Sequence, residues 1–354
     1  MKKRFLAMLT LAVMALSLTA CGGSKDTPPK SEGSTQTPET KTEAPAPANA
    51  IPIKIANYYA DTHPMNQVLN DVFKPMIEEG TEGRYTVEIY SNNALGGEGE
   101  YTEGCRMGTV EACIAGVMLS DQYPALKVIN FPWVFDDVES ASALLNSEEI
   151  SSILYNTMLD ANLVYKGAVV NGARAISNNV RPINTLADCK GIKIRVPEVS
   201  HFVSNAKALG FNPVTMSMSE IFTSLQQGVI EAQENPPTTL LTSGWYEVQP
   251  YLAITNHQIS LDWIAFNKGF YEGLSDEDRA VVDAACEALV AEELTAYVAS
   301  AEADIATLEE NGVAVTYPDR TEFKEAGAVV IDEFCDQYPA FKEIIEAVRG
   351  MQAQ

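Results

Sequence analysis

Residues 51–57, IPIKIAN, alternate apolar and polar side chains in the period-two pattern of a half-buried strand. A polar turn, Asp61-Thr62-His63-Pro64, leads into a helix-period run, MNQVLNDVFKPMIEEG (65–80), and then into YTVEIY (85–90), a second alternating strand. NNALGG (92–97) reads as a turn, EGEYTEGCRMG (98–108) as a helix and VEACIAG (110–116) as a short strand. Strands that alternate with helices are the signature of an α/β layer with a largely parallel sheet, because parallel neighbours need a crossover that a helix supplies.

Working outward, helices with turn signals run to residue 165, and LVYKGAVV (163–170) reads as another strand. A second unit begins at Asn171. Its centre is GIKIRVPE (191–198), in which Ile192, Ile194 and Val196 share one face, Lys193 and Arg195 share the other, and Pro197 ends the strand. Lys193 is expected in solvent, but an arginine at a strand end beside a proline is harder to place. A helix at 201–209, a strand FNPVTM (211–216), a helix in SMSEIFTSLQQG (217–228) and a strand VIEAQENPP (229–237) follow. Residues 276–312 are almost entirely helix formers, and a helix of that length exceeds one small domain.

The N-terminus carries a different message. Lys2, Lys3 and Arg4 precede an apolar run to Leu18 and then Thr19-Ala20-Cys21, the layout of an export signal over residues 1–20. The Leu-x-Ala-Cys ending looks like a bacterial lipobox, which implies that Cys21 becomes a lipidated N-terminus. Residues 21–50 are rich in Ser, Thr, Pro, Glu and Ala and too poor in large apolar side chains to fold, so they read as a tether outside the membrane. The formal charge of −24 grows more negative once the basic signal is lost, and nothing forms a basic stripe, which argues against nucleic acid.

Catalytic and metal chemistry are scarce. The five cysteines after Cys21 show no metal-knuckle or CxxC spacing, and the three histidines lie far apart. Buried free thiols are the expected state, with a Cys105–Cys113 bridge as the alternative. Gly97-x-Gly99 lacks the third glycine of a dinucleotide loop, and no Walker or GxSxG motif occurs. Asp276 and Asp278 read as a solvated helix start rather than an acid/base pair. No cofactor is implied.

What remains is Arg174 in NGAR, Arg195 in KIRVP and Asn235 in QENP. A guanidinium fork binds a carboxylate through two parallel hydrogen bonds, and strand ends face the crevice where open α/β sheets take ligands. This set suits a small organic anion.

Leu95-Gly96, NGARAIS (171–177), DCKGIKIRVP (188–197), SEIFTSLQQGVIEAQENP (219–236) and YLAITNH (251–257) together resemble the solute-binding proteins of tripartite ATP-independent periplasmic (TRAP) transporters, of the dicarboxylate-binding DctP type. The resemblance runs from residue 51 to the C-terminus. It implies a two-domain clamshell with mixed sheets, crossing strands at the hinge and one long helix spanning both lobes. The lobes are then 51–171 plus 261–300, and 172–260 plus 301–354. It also implies that Arg195 grips the ligand carboxylate, Asn235 orients it and Arg174 adds a second basic contact. Glu98 would touch the distal end, and Gly116 and Val117 would line the first-lobe wall. Met218 stands where relatives often carry an aromatic, which Trp263 or Phe266 could replace, and Gly116 argues against sialic acid. Between Arg174 and Arg195 the chain runs one residue longer than the pattern, which would displace Arg174.

Each residue has an ordinary alternative: Arg195 paired with Glu198 or Glu234, Asn235 capping a helix, Arg174 in a surface ion pair, Glu98 as a helix-start acid, Trp263 and Phe266 in the core. The implied function is an extracytoplasmic lipoprotein, anchored to the cell membrane, that captures an organic acid and delivers it to small and large TRAP membrane subunits driven by an ion gradient. A ligand-sensing lipoprotein and an extracytoplasmic hydrolase are the alternatives.

Overall fold

A computed structural model describes residues 49–353; the export signal, Cys21 and the tether to residue 48 lie outside the described residues. Nine strands join one mixed sheet: β1 (Ile51–Ala56), β2 (Tyr85–Tyr90), β3 (Ala112–Ala115), β4 (Leu163–Asn178), β5 (Lys193–Val196), β6 (Asn212–Thr215), β7 (Ala232–Asn235), β8 (Tyr251–Asn267) and β9 (Ala314–Thr316). Their order is β2-β1-β3-β8-β4-β7-β5-β6, with β9 beside β8. The pairs β1/β2, β1/β3, β5/β6 and β5/β7 are parallel, as helix crossovers require, whereas β8 and β4 run antiparallel to their neighbours in the middle of the sheet.

β4 and β8 are the crossing strands. The sequence reading ends a strand at Val170 and opens a new unit at Asn171, yet β4 runs unbroken through that point for 16 residues. No proline interrupts it, and its glycines bend the strand instead of ending it. Register shifts against β8 fall between Tyr165 and Gly167, Val170 and Gly172, and Arg174 and Ile176. Gly172 has a φ of +132°, and a Cβ there would lie 2.3 Å from the Tyr297 hydroxyl, so only glycine fits.

Apolar packing divides the molecule into two lobes. One cluster takes Ile53, Ile55, Phe73, Ile114, Trp263 and Phe266 around β1, β3 and the near half of β8. On the far half of the sheet, one face buries Ile192, Ile194, Val196 and Phe202, and the other buries Ala175, Ile221, Leu240 and Leu252. The alternation in GIKIRVPE is thus realised: the three β-branched side chains enter one core, Lys193 is exposed, and Arg195 is buried on the opposite face.

A helix over Asp276–Glu310 joins the lobes. Ser275 caps it by accepting the Asp278 N–H at 3.0 Å, and three acids occupy its first turn, where the helix dipole favours them. Its Val282, Leu289 and Tyr297 pack in the first lobe, while Leu308 packs in the second.

The C-terminal helix, Pro339–Gln352, departs from the expected assignment of 301–354 to the second lobe. Its Phe341, Ile344, Ile345 and Val348 sit in the first-lobe cluster. Another local surprise lies in MNQVLNDVFKPMIEEG, whose helix widens to a π-helical turn over Leu69–Phe73 just before Pro75, which lacks the N–H that would close an α-turn. All five cysteines among the described residues are free, four of them buried, so the Cys105–Cys113 bridge does not form.

Candidate functional site

The lobes face each other across a cavity of about 380 Å³, within the range of small-molecule sites. Arg174, Arg195, Asn235 and Met218 line it from the second lobe, and Glu98 and Val117 from the first. Six of the expected contact residues therefore converge. Gly116 lies just behind the lining and Trp263 does not reach it.

Arg195 is 4 % exposed, and its Nε and Nη2 donate to the Met216 carbonyl at 2.9 and 2.7 Å. Among the described residues no carboxylate lies within ion-pair distance of it, so neither Glu198 nor Glu234 is its partner. Burial lowers its pKa to about 10, with Glu234 and Glu98 opposing and Arg174 reinforcing the effect. The head group is charged at neutral pH, desolvated, and held in place by a backbone oxygen that leaves part of its fork unused.

Arg174 differs. Its Nε and Nη2 reach both carboxylate oxygens of Glu234, the Nη2 contact being 2.7 Å, and Nη2 also donates to the Glu234 carbonyl at 2.6 Å. Burial alone would raise the Glu234 pKa, but the Arg174 fork, with His257 beside it, holds it down at about 2. Arg174 borders the cavity with the Nε–Nη2 edge of its fork on Glu234 and its guanidinium over the Phe202 ring at 5.3 Å. Arg174 thus meets the cavity with its charge already paired to Glu234.

Asn235 ends β7 and is buried, donating Nδ2 to Gln233 Oε1 at 2.7 Å. It does not cap the next helix, where Pro236 holds the cap position, and no hydrogen bond joins it to Arg195. Glu98 opens the Glu98–Met107 helix, and its Oε1 accepts the backbone N–H groups of Gly116, Val117 and Met118 at 2.9, 2.7 and 3.2 Å. It clamps the first-lobe wall through one oxygen, and among the described residues no hydrogen-bond donor reaches the other. Burial raises its pKa against those three bonds.

Gly116 is fixed by packing. A Cβ there would lie 2.3 Å from Asp262 Oδ1. Trp263 is fully buried opposite Ala115, and Phe266 is fully buried too, so both are core residues and neither replaces an aromatic at Met218.

Sequence reasoning missed Tyr58, Asn130, Asn171, Phe202 and Asp262, which also line the cavity. For Asp262 a signal existed: it is the only charge in ISLDWIAF (259–266), the most apolar part of β8. The aspartate is 1 % exposed and accepts from the hydroxyls of Tyr58 and, at 2.7 Å, Tyr59. Burial, aided by Glu98, raises its pKa to about 7.

Comparison with known proteins decides the family. Residues 55–337 match the model of bacterial extracellular solute-binding proteins, family 7, or DctP. The chain belongs to this DctP family. The resemblance read from the sequence motifs is thereby borne out, as is the clamshell fold. A TRAP periplasmic solute-binding protein of Haemophilus influenzae, solved with bound L-gulonate, superposes with a TM-score of 0.81 at 31% identity, covering 84% of this chain and 99% of that one. A second, from Roseobacter denitrificans with bound β-D-glucuronate, has a TM-score of 0.80 at 27% identity, with 84% and 99% covered. The 2,3-diketo-L-gulonate-binding periplasmic protein of Escherichia coli is 30% identical over 295 residues, 79% of this chain and 86% of its own. DctP proteins are TRAP transport components that bind solutes and are not enzymes, which removes the hydrolase alternative. Among the described residues no helix is long and apolar enough to cross a membrane.

Proposed function

We propose that this DctP protein captures a sugar-acid anion at Arg195 and presents it to a TRAP permease of small and large membrane subunits powered by an ion gradient. The observation that carries this reading is the buried Arg195, a guanidinium with unused donors on a cavity whose other arginine is already neutralised by Glu234. A ligand carboxylate supplies the partner that Arg195 lacks, and a charge-assisted bond in a desolvated site is stronger than one in water. Relatives bound to gulonate and glucuronate support a polyhydroxy acid as the remainder of the ligand.

Asn235, adjacent on β7, orients the bound carboxylate, and Met218 and Val117 supply apolar contact from opposite lobes. A ligand touching both lobes stabilises the closed state by its differential contacts. We place the lobe boundary in β4 and β8 near residues 171 and 261, with the Pro339–Gln352 helix on the first lobe. Cys21 carries the lipid that keeps the protein at the outer face of the cell membrane, and residues 21–50 give it reach.

A thermal-shift screen of organic acids on the purified full-length protein tests the reading. Sugar monocarboxylates are expected to raise the melting temperature by several degrees at millimolar concentration, and the matching neutral sugars to leave it unchanged. No shift with any sugar acid would overturn it.

A further inference from the structure

Asp262 has no place in the carboxylate grip, and its surroundings call for hydrogen-bond donors. It projects from β8, three strand positions from β5 and Arg195 in the order β8-β4-β7-β5, and it lines the same cavity. The register sets Asp262 level with Val169 of β4 and Arg195, through Gln233, level with Ser177, so the two lie well apart along the sheet and serve different parts of one ligand.

Oδ2 of Asp262 is held by the two tyrosine hydroxyls, but Oδ1 has no partner. Asn130 Oδ1 and Asn171 Oδ1 are also unpartnered, although the amide nitrogens of both are anchored, Asn130 to the Leu261 carbonyl at 2.8 Å and Asn171 to the Tyr58 hydroxyl at 2.6 Å. All three residues line the cavity and are at least 97 % buried. The three acceptor oxygens without donors are themselves closed to solvent, which leaves this wall of the cavity poor in hydrogen-bond donors.

The charge balance there is equally one-sided. No lysine or arginine among the described residues forms an ion pair with Asp262, Glu98 stands on the same wall, and Arg174 is committed to Glu234. Gly116 is part of the arrangement, since any side chain there would occupy the space of Asp262 Oδ1.

We propose that Asp262 sets specificity at the end of the ligand remote from Arg195, accepting hydrogen bonds from hydroxyls and turning away a second carboxylate. The inference rests on the sugar-acid reading and narrows it to polyhydroxy monocarboxylates, excluding the dicarboxylates that the same carboxylate grip would otherwise admit. A hydroxyl can donate to this donor-poor wall, whereas a second carboxylate would stand beside Asp262 and Glu98 with no unpaired cation to receive it and would be accepted only with Asp262 protonated.

Calorimetry of the full-length protein at pH 8.5, where Asp262 is ionised, with L-gulonate, D-glucuronate and D-galacturonate, against D-glucarate and galactarate, separates the two chemistries. The best monocarboxylate is expected to bind about 100-fold more tightly than either dicarboxylate, as like-charge juxtaposition predicts. Asp262→Asn should weaken the monocarboxylate about tenfold and narrow the ratio to within about tenfold. Gly116→Ala, which displaces the carboxyl group without removing its charge, should also weaken the monocarboxylate. Should Asp262→Asn fail to fold, the wild-type ratio and Gly116→Ala decide. Equal wild-type affinities, or a ratio undiminished in Asp262→Asn, would overturn the inference while leaving the sugar-acid function intact. Binding of none of the five acids would overturn both.

Discussion

Arg174 and Arg195 flank β7 on β4 and β5, each is 4 % exposed, and they are in opposite electrostatic states. Arg174 is closed off by a two-pronged contact with Glu234, and Arg195 by nothing but a carbonyl. Burial therefore does not mark a binding residue. The absence of a counter-ion does, because a desolvated cation without a carboxylate is stable only where the fold compels it and a ligand can repay it.

Removing Arg174 should give the largest effect on the folded state. Arg174→Ala leaves Glu234 buried without its fork and should cost about 3–5 kcal/mol in urea unfolding of the ligand-free protein. Replacing the pair together, Arg174→Met with Glu234→Leu, should recover much of that loss, since neither charge is then stranded.

The same pair should shape the acid limb of stability. Glu234 titrates at about 2 in the folded protein, below an ordinary carboxyl near 4.5. Its stabilising contribution is therefore complete above pH 4.5 and is lost as pH falls toward 2. Unfolding midpoints measured from pH 6 to pH 2 should fall steeply in the wild type. In the double replacement the fall should be shallower, and an equal slope would mean that Glu234 is not held low by Arg174.

The smallest effect belongs to Lys193, which shares the Arg195 face two residues earlier but lies in solvent. Lys193→Ala should change stability by less than about 0.5 kcal/mol and leave ligand affinity unaltered.

Much of this contrast was legible beforehand, but unevenly. Period-two alternation placed Ile192, Ile194 and Val196 in one core and Arg195 away from it, because side-chain direction along a strand is a local property. The long helix was equally readable from its composition and its acidic first turn. What failed was anything decided by distant partners. Glu234 is 60 residues from Arg174, and only the pairing of β4 with β7, Ile176 against Glu234, brings them together. Asp262 escaped notice because its apolar neighbours read as core, and the tyrosines that hold it, Tyr58 and Tyr59, lie about 200 residues earlier. Trp263 was drawn into the site by chemistry alone, whereas alternation along β8 sends it to the face opposite its neighbour Asp262 and into the core.

The central claim is that Arg195 is the arginine left free for the ligand. Titration calorimetry of the wild type and Arg195→Ala with the best sugar acid from the screen, paired with ligand-free unfolding of both, tests it most directly. Affinity should fall by about 2–5 kcal/mol, while ligand-free stability stays level or rises because a buried charge without a carboxylate partner is gone. Affinity within a few-fold of wild type would contradict the account.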